Sequence, residues 1–97
     1  MATEALLNRR VVLVRGRIEL GRVVDVILEA DAARPLGLDV LCGDGEHRFL
    51  PMATLGRTGP DVEIESALML LEPAELEFYR ARGRSLRRSA SGTLADR

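Results

Sequence analysis

Apolar and polar residues alternate along much of the chain between residues 11 and 71. The clearest example is Asp61-Val62-Glu63-Ile64-Glu65-Ser66, where acidic side chains occupy one face of an extended strand and apolar ones the other. Apolar or alternating runs predict further strands at residues 11–14, 18–29, 36–40, 47–50 and 68–71. About six short strands favour an antiparallel barrel or sandwich over a βαβ fold. We expect a small antiparallel β-barrel, because closing the sheet removes its exposed edges.

Turn residues separate these predicted strands. Asp44-Gly45 lies between two alternating runs and predicts a β-hairpin. Pro51 ends the returning strand, because proline has no backbone N–H to donate to a neighbouring strand. Residues 56–60 contain two glycines and a proline and predict another turn.

The periodicity changes near the end of the chain. Residues 73–83 predict a C-terminal α-helix, because Pro73 suits the first helical position and Gly83 suits the end. Residues 84–97 are rich in arginine and serine with little to bury, so we expect a disordered basic tail there. The predicted organisation is therefore an N-terminal extension, a β domain, a helix and a tail, at residues 1–8, 9–72, 73–83 and 84–97.

Length and composition are those of one small globular domain. The 97 residues are 46% hydrophobic and 30% charged, unlike disordered or membrane-spanning chains. Residues 1–4 lack the basic start of a secretory signal, and no apolar run approaches the length of a spanning helix. Cys42 is the single cysteine, so it has no partner for an internal disulfide. These features predict a cytoplasmic protein without a transmembrane segment.

The charges are unusual in type and in placement. All 14 basic residues are arginine, which excludes Schiff-base catalysis and a phosphate-loop lysine. Residues 1–77 contain eight arginines and 14 acidic residues, whereas residues 78–97 contain six arginines and one acidic residue. The nearly neutral total therefore combines an acidic body with a basic C-terminal arm.

Three segments between residues 9 and 71 carry a family resemblance. Gly21-Arg22-Val23-Val24-Asp25-Val26 resembles the opening of the second strand in PRC-barrel domains. Arg48-Phe49-Leu50-Pro51-Met52-Ala53-Thr54-Leu55 resembles the family's second signature, a strand that ends in proline before a one-turn excursion. Val62-Glu63-Ile64 lies where the next strand of the family would follow.

The resemblance implies a small β-barrel that binds other proteins. PRC-barrel domains form the cytoplasmic part of the photosynthetic reaction-centre H subunit and the C-terminal half of a bacterial ribosome-maturation factor, and they share no catalytic residues. The resemblance thus implies an adaptor with no catalytic, cofactor-binding or metal-binding residues. The sequence shows neither the membrane helix of the first protein nor the extra N-terminal domain of the second, so neither partner is carried over.

Cys42 and His47 are the strongest candidates for catalysis in the sequence. They are its only thiol and imidazole, and the predicted hairpin would make them cross-strand neighbours, an arrangement that suits a nucleophile and its base. No third group follows to orient the histidine, and a structural zinc site needs about four ligands. We therefore predict that the chain is not an enzyme, and that Cys42 is a small buried residue beside a surface histidine.

Two sets of carboxylates are better explained by structural roles than by catalysis or cation binding. The acidic face of residues 61–66 could hold a cation, but solvation of an exposed strand face produces the same alternation. Asp25 lies within an apolar run, where burial of its carboxylate would require a partner such as Arg22 or Arg34.

Arginines of the C-terminal arm are the candidate binding residues. Guanidinium groups bind phosphates and carboxylates through paired hydrogen bonds, so RNA, anionic lipid and an acidic protein surface are all possible targets. The alternative is a solubilising terminus, or one that folds back onto the acidic body. The candidate residues are Arg80, Arg82, Arg84, Arg87 and Arg88.

The leading hypothesis is a non-catalytic protein-binding or scaffolding module of the PRC-barrel type with an unknown protein partner. We also expect a homodimer, because Leu68-Met69-Leu70-Leu71 would expose an apolar patch. The main alternative is an RNA- or ribosome-associated factor that uses the arginine-rich tail. An enzyme using Cys42 and His47 is the least favoured hypothesis.

Overall fold

The computed structural model describes residues 3–31, 34–56 and 58–87. This part of the chain forms a six-stranded sheet and one α-helix near its C-terminus, which confirms the prediction of a mainly β protein with a C-terminal helix. The elements are β1 (Arg10–Leu13), β2 (Glu19–Leu28), β3 (Pro35–Cys42), β4 (His47–Pro51), β5 (Val62–Ile64), α1 (Pro73–Arg82) and β6 (Arg84–Ser85).

The sheet is mixed and open rather than a closed antiparallel barrel. Its strands follow the order β4-β3-β2-β1-β5, and β6 pairs with the end of β2. The pairing of β1 with β5 is parallel, while the other strand pairs are antiparallel. The predicted closed, antiparallel barrel is therefore corrected to an open mixed sheet.

The segment predicted as the strand 68–71 explains why the sheet stays open. Ala67–Met69 instead forms a single 3-10 turn, in which the Ser66 hydroxyl accepts a hydrogen bond from the Leu68 N–H at 3.1 Å. Leu71 alone pairs with β4, through two backbone hydrogen bonds to Phe49. The chain thus passes from β5 at one edge of the sheet to β4 at the other, where Leu71 makes a single bridge.

Apolar side chains lie on both faces of the sheet. Because neighbouring residues of a strand point to opposite faces, Val26 and Leu50 enter the main core while Ile27 and Phe49 face α1. The buried residues of the main core are Leu6, Val11, Val23, Val26, Leu28, Leu38, Val40, Leu50, Val62 and Ile64. The smaller cluster under α1 consists of Ile27, Phe49 and Leu76.

Helix α1 packs on the sheet through its central turn. Leu76 is buried, and the Tyr79 ring stacks on the Phe49 ring with centroids 4.3 Å apart. Gly37 makes room for this stack, because a Cβ atom there would lie 2.4 Å from Phe49 Cζ. The helix begins at Pro73 as expected, since the first turn of a helix does not need the proline N–H.

Both ends of the described chain are attached to β2. The N-terminal 3-10 helix, Thr3–Leu6, places Leu6 in the main core, and the Asn8 N–H donates to the Val23 carbonyl at 2.7 Å. After α1, Arg84–Ser85 pairs with the end of β2, so the segment expected to begin a disordered tail opens with a short strand. The rest of that predicted tail, residues 88–97, lies outside the described residues. In the part of the chain that the structure covers, no helix is long and apolar enough to cross a membrane.

Candidate functional site

Two buried aspartates lie opposite each other on the helix-facing side of the sheet. Asp25 of β2 and Asp39 of β3 are register partners, and they are 6% and 1% exposed. Like charges in directly opposed positions destabilise a sheet, and a buried carboxylate needs hydrogen-bond donors. The hydrogen-bond donors around each carboxylate therefore determine how this buried pair is stabilised and what chemistry is open to it.

Asp25 is bound by the segment that follows α1. The Ser85 hydroxyl donates to Oδ2, and the Arg87 backbone N–H donates to Oδ1 at 2.9 Å. The N–H of Val26 also donates to Oδ1, at 2.8 Å. The expectation of an Arg22 or Arg34 partner is wrong, because donors from β6 and the residues after it take that place.

Asp39 is bound by one residue of β4 and one of α1. His47 donates from Nδ1 to Oδ1 at 2.8 Å, and Arg80 Nη2 lies 3.4 Å from Oδ2. Arg80 also lies 3.6 Å from Glu77, one turn earlier in α1. The expectation that no third group orients His47 is therefore wrong, because Asp39 holds the imidazole while the Arg80 guanidinium is directed at the same carboxylate.

Cys42 and His47 project from opposite faces of the β3–β4 hairpin. Leu41 is the register partner of His47, so Cys42, the next residue, faces the other way, beside Arg48. The Cys42 thiol lies 3.8 Å from the Val40 carbonyl. Burial raises the pKa of this thiol, against a smaller lowering by the Arg48 guanidinium. The structure therefore does not bring together the nucleophile and base of the enzyme hypothesis.

The acidic face of β5 is covered by arginines. Asp61 is bound by the Arg10 guanidinium through two hydrogen bonds of 3.2 and 3.1 Å. Arg17 joins Asp61 at 3.2 Å and Glu63 at 2.9 Å. These ion pairs attach β5 and the residue before it to β1 and to the turn that follows β1. No group of three or more side chains of the kinds that bind metals occurs among the residues described.

The arginines of the C-terminal arm are mostly engaged within the chain. Arg80 is bound to Asp39, and the Arg82 guanidinium lies 3.8 Å from the centre of the Phe78 ring. Arg84 Nε donates to the Glu29 carbonyl at 3.1 Å. Arg87 is exposed at its side chain although its N–H binds Asp25, and Arg88 lies outside the described residues. Of the four described arginines of the arm, three therefore have a partner within the chain.

An open apolar groove lies at the end of the sheet where β2 begins and β3 ends. We call it the leucine groove; its floor and walls include Leu20, Leu68, Leu70, Leu71, Glu72 and Glu75. Leu68 is 88% exposed although the Ser66 hydroxyl holds its backbone. A single exposed leucine is common on protein surfaces, but one that borders an apolar groove extends a continuous apolar surface, which is typical of contact sites.

Sequence reasoning identified this region only in part. The apolar run 68–71 predicted an exposed patch, but as a strand it would have exposed alternate residues. The 3-10 turn instead exposes Leu68 while Met69, Leu70 and Leu71 pack against the two cores. Ser66 before an apolar run is a capping signal that indicates such a turn.

The chain was compared with known proteins at the level of families and of individual sequences. No model of a protein family matches it, and no curated protein matches it. The resemblance to PRC-barrel domains therefore stays a prediction from the residues themselves.

Proposed function

We propose that this protein is a non-catalytic binding or scaffolding module of the PRC-barrel type, and that it contacts its protein partner through the leucine groove. The observation that carries the proposal is the large apolar side chain of Leu68, which is exposed to solvent beside an apolar groove. A few desolvated residues near the centre of an interface contribute most of its affinity, and Leu68 is positioned to be one of them.

The positions of the resembling segments support the family part of the proposal. The Gly21–Val26 stretch lies in β2, as the family pattern implies, and the strand of the second signature ends at Pro51 before a one-turn helix, Met52–Thr54. Val62–Ile64 forms the next strand, β5. The sheet itself is open, and Leu71 makes an isolated bridge to Phe49 of its edge strand β4.

The state of the ionisable groups supports a non-catalytic role. His47 is bound to a buried carboxylate on the face opposite Cys42, and the pKa of the Cys42 thiol is raised rather than lowered. A cysteine nucleophile requires the opposite shift and a base within reach. An enzyme using these two residues would need a different arrangement of the hairpin.

Binding of RNA through the arginine-rich arm is the second hypothesis that the sequence raised. Within the described residues, Arg80, Arg82 and Arg84 each have a partner in the chain. Among the described arginines of the arm, RNA binding would therefore depend on Arg87, whose side chain is exposed. This is a small part of the predicted basic patch, so the groove is the better supported surface.

A photo-crosslinking amino acid placed at residue 68 tests the proposal. In cells that make the protein naturally, we expect a defined protein adduct from position 68 that untagged wild-type chain suppresses. The matched control is position 78, because Phe78 is also an exposed apolar residue but does not line the groove. No protein adduct from position 68, or the same adducts from both positions, would contradict the proposal.

A further inference from the structure

The turn between β1 and β2 is apolar and basic. Val14 and Ile18 are 41% and 53% exposed, and they flank Arg15 and Arg17. The turn is tight, because the Leu13 N–H donates to the Ile18 carbonyl at 2.8 Å. We call residues 14–18 the basic turn.

The leucine groove is apolar and acidic, and so complements the apolar and basic turn. Its rim includes Glu72 and Glu75, for which no ion-pair partner occurs among residues 3–31, 34–56 and 58–87. The other two charges of the rim neutralise each other, because Arg48 lies 3.0 Å from Asp44. The groove therefore combines leucine side chains with two uncompensated negative charges.

The basic turn and the leucine groove are adjacent on one surface. The hollow beside the basic turn is lined by Val14, Arg15 and Ile18, and it shares Ala67 with the leucine groove. Leu68 follows Ala67 and lies beside this boundary. Arg15, like the two glutamates, has no ion-pair partner in the described part of the chain.

We propose that the occupant of the leucine groove is a second copy of this chain. The basic turn of each copy enters the leucine groove of the other copy. A two-fold axis near Ala67 relates the copies, because turn and groove adjoin there and such an arrangement closes after two subunits. This inference rests on the proposed function, since it names the partner of the same groove.

Each part of the surface has a distinct role in this dimer. Leu68, Val14 and Ile18 lose their contact with water at the centre, which supplies most of the affinity. Arg15 of each copy meets Glu72 and Glu75 of the other at the rim, which fixes the orientation and makes association weaken with salt. Glu65 also lines the hollow of the basic turn and reduces its positive charge, and Arg17 is paired with Asp61 and Glu63. Arg15 is therefore the charge of this turn that the groove of the other copy receives.

Sedimentation equilibrium on the full chain tests the dimer. Across protein concentrations from about 1 µM to about 1 mM, the range of weak to moderate affinities, we expect a shift from 10.6 kDa to twice that mass. The Leu68→Asp variant should weaken the dimer about 30-fold or more, as expected for a central contact residue. Its circular dichroism should be unchanged, because residue 68 is exposed.

Charge reversal separates this arrangement from other modes of self-association. Arg15→Glu alone and Glu72→Arg/Glu75→Arg together should each weaken the dimer about tenfold, and the combination of all three should restore it. Arg22→Glu is the matched control, since Arg22 is an exposed arginine of β2 outside the basic turn. Failure of the combined variant to recover would overturn the reciprocal pairing.

The result also separates this inference from the proposed function. A wild-type chain that stays at 10.6 kDa throughout overturns the dimer. If position 68 then crosslinks to a different protein, the groove is a binding site with another occupant and the proposed function stands. If position 68 crosslinks to nothing, both proposals are wrong.

Discussion

Asp25 and Asp39 are directly opposed register partners in β2 and β3, and each buried carboxylate is bound by a different part of the C-terminal segment. Asp39 receives Arg80 from α1, whereas Asp25 receives Ser85 and the backbone of Arg87 from the residues that follow. The segment from α1 to residue 87 is therefore needed to satisfy two buried charges. We call residues 83–87 the C-terminal strap.

Removing the C-terminal strap should destabilise the fold. A chain ending at residue 82 leaves Asp25 without the Ser85 hydroxyl and the Arg87 N–H, and a buried carboxylate without donors costs free energy. We expect the free energy of unfolding to fall by about 2 kcal/mol in urea denaturation, since water then reaches the carboxylate and replaces part of the loss. A chain ending at residue 87 is the control and should unfold like the full chain. Equal stability of the two truncated chains would contradict a role for the strap.

Arg80 and Arg82 should differ in their contribution to stability although both end the same helix. Arg80→Met removes the guanidinium from buried Asp39, and we expect a loss of about 1–2 kcal/mol because His47 remains as a donor. Arg82→Met removes a contact with the exposed Phe78 ring and should cost about 0.5 kcal/mol. Urea denaturation of both variants compares them directly. A larger effect at Arg82 would mean that the pairing of Arg80 with Asp39 contributes little.

Local signals predicted the parts of the fold that depend on local chemistry. Asp44-Gly45 predicted the β3–β4 hairpin, which forms between Cys42 and His47. Pro73 and Gly83 marked the ends of α1 within one residue. Asp44-Gly45 and Pro73 specify the local backbone without help from distant contacts. Gly83 does not adopt the left-handed conformation of a typical helix end, and a Cβ atom there would collide with the Leu28 carbonyl of β2, so this glycine also depends on a distant contact.

Features that depend on distant contacts were not predicted. The register between β2 and β3 shifts between Val23 and Asp25, so Val23 rather than Val24 enters the main core and strict alternation fails there. The same shift places Asp25 opposite Asp39, a pairing that no local pattern indicates. The sequence likewise did not predict the parallel pairing of β1 with β5. The alternation of apolar and polar residues shows which face of a strand is buried, but not which strand lies beside it.

Gly37 should be intolerant of a side chain. A Cβ atom at this position would lie 2.4 Å from Phe49 Cζ and 2.6 Å from the Leu50 carbonyl, and backbone in a paired strand cannot move away at low cost. We expect Gly37→Ala to lower the free energy of unfolding by about 2–3 kcal/mol, the upper part of the range for overpacked cores. Gly43→Ala is the control, because a Cβ there meets no atom within 4 Å. The shift of the thermal midpoint in calorimetry measures both, and equal shifts would contradict the close packing of β3 under Phe49.

The Cys42 thiol should be less reactive than an ordinary cysteine. Burial raises its pKa above the ordinary 9.0, so less thiolate is present at neutral pH and alkylation by iodoacetamide should be slower than in the urea-unfolded chain. The folded state binds this proton more tightly than the unfolded state does. The resulting contribution to stability is therefore present below pH 9 and lost as the pH rises through the higher pKa of the folded state.

The pH dependence of the alkylation rate measures this pKa directly. Arg48→Met is the informative variant, because the Arg48 charge lowers the pKa of Cys42 and its removal should raise that pKa further. His47→Ala should leave the rate profile unchanged, since His47 faces the other side of the hairpin. A Cys42 thiol with a pKa below the ordinary value, and whose pKa returns to that value in His47→Ala, would contradict this arrangement. That result would support the enzyme hypothesis.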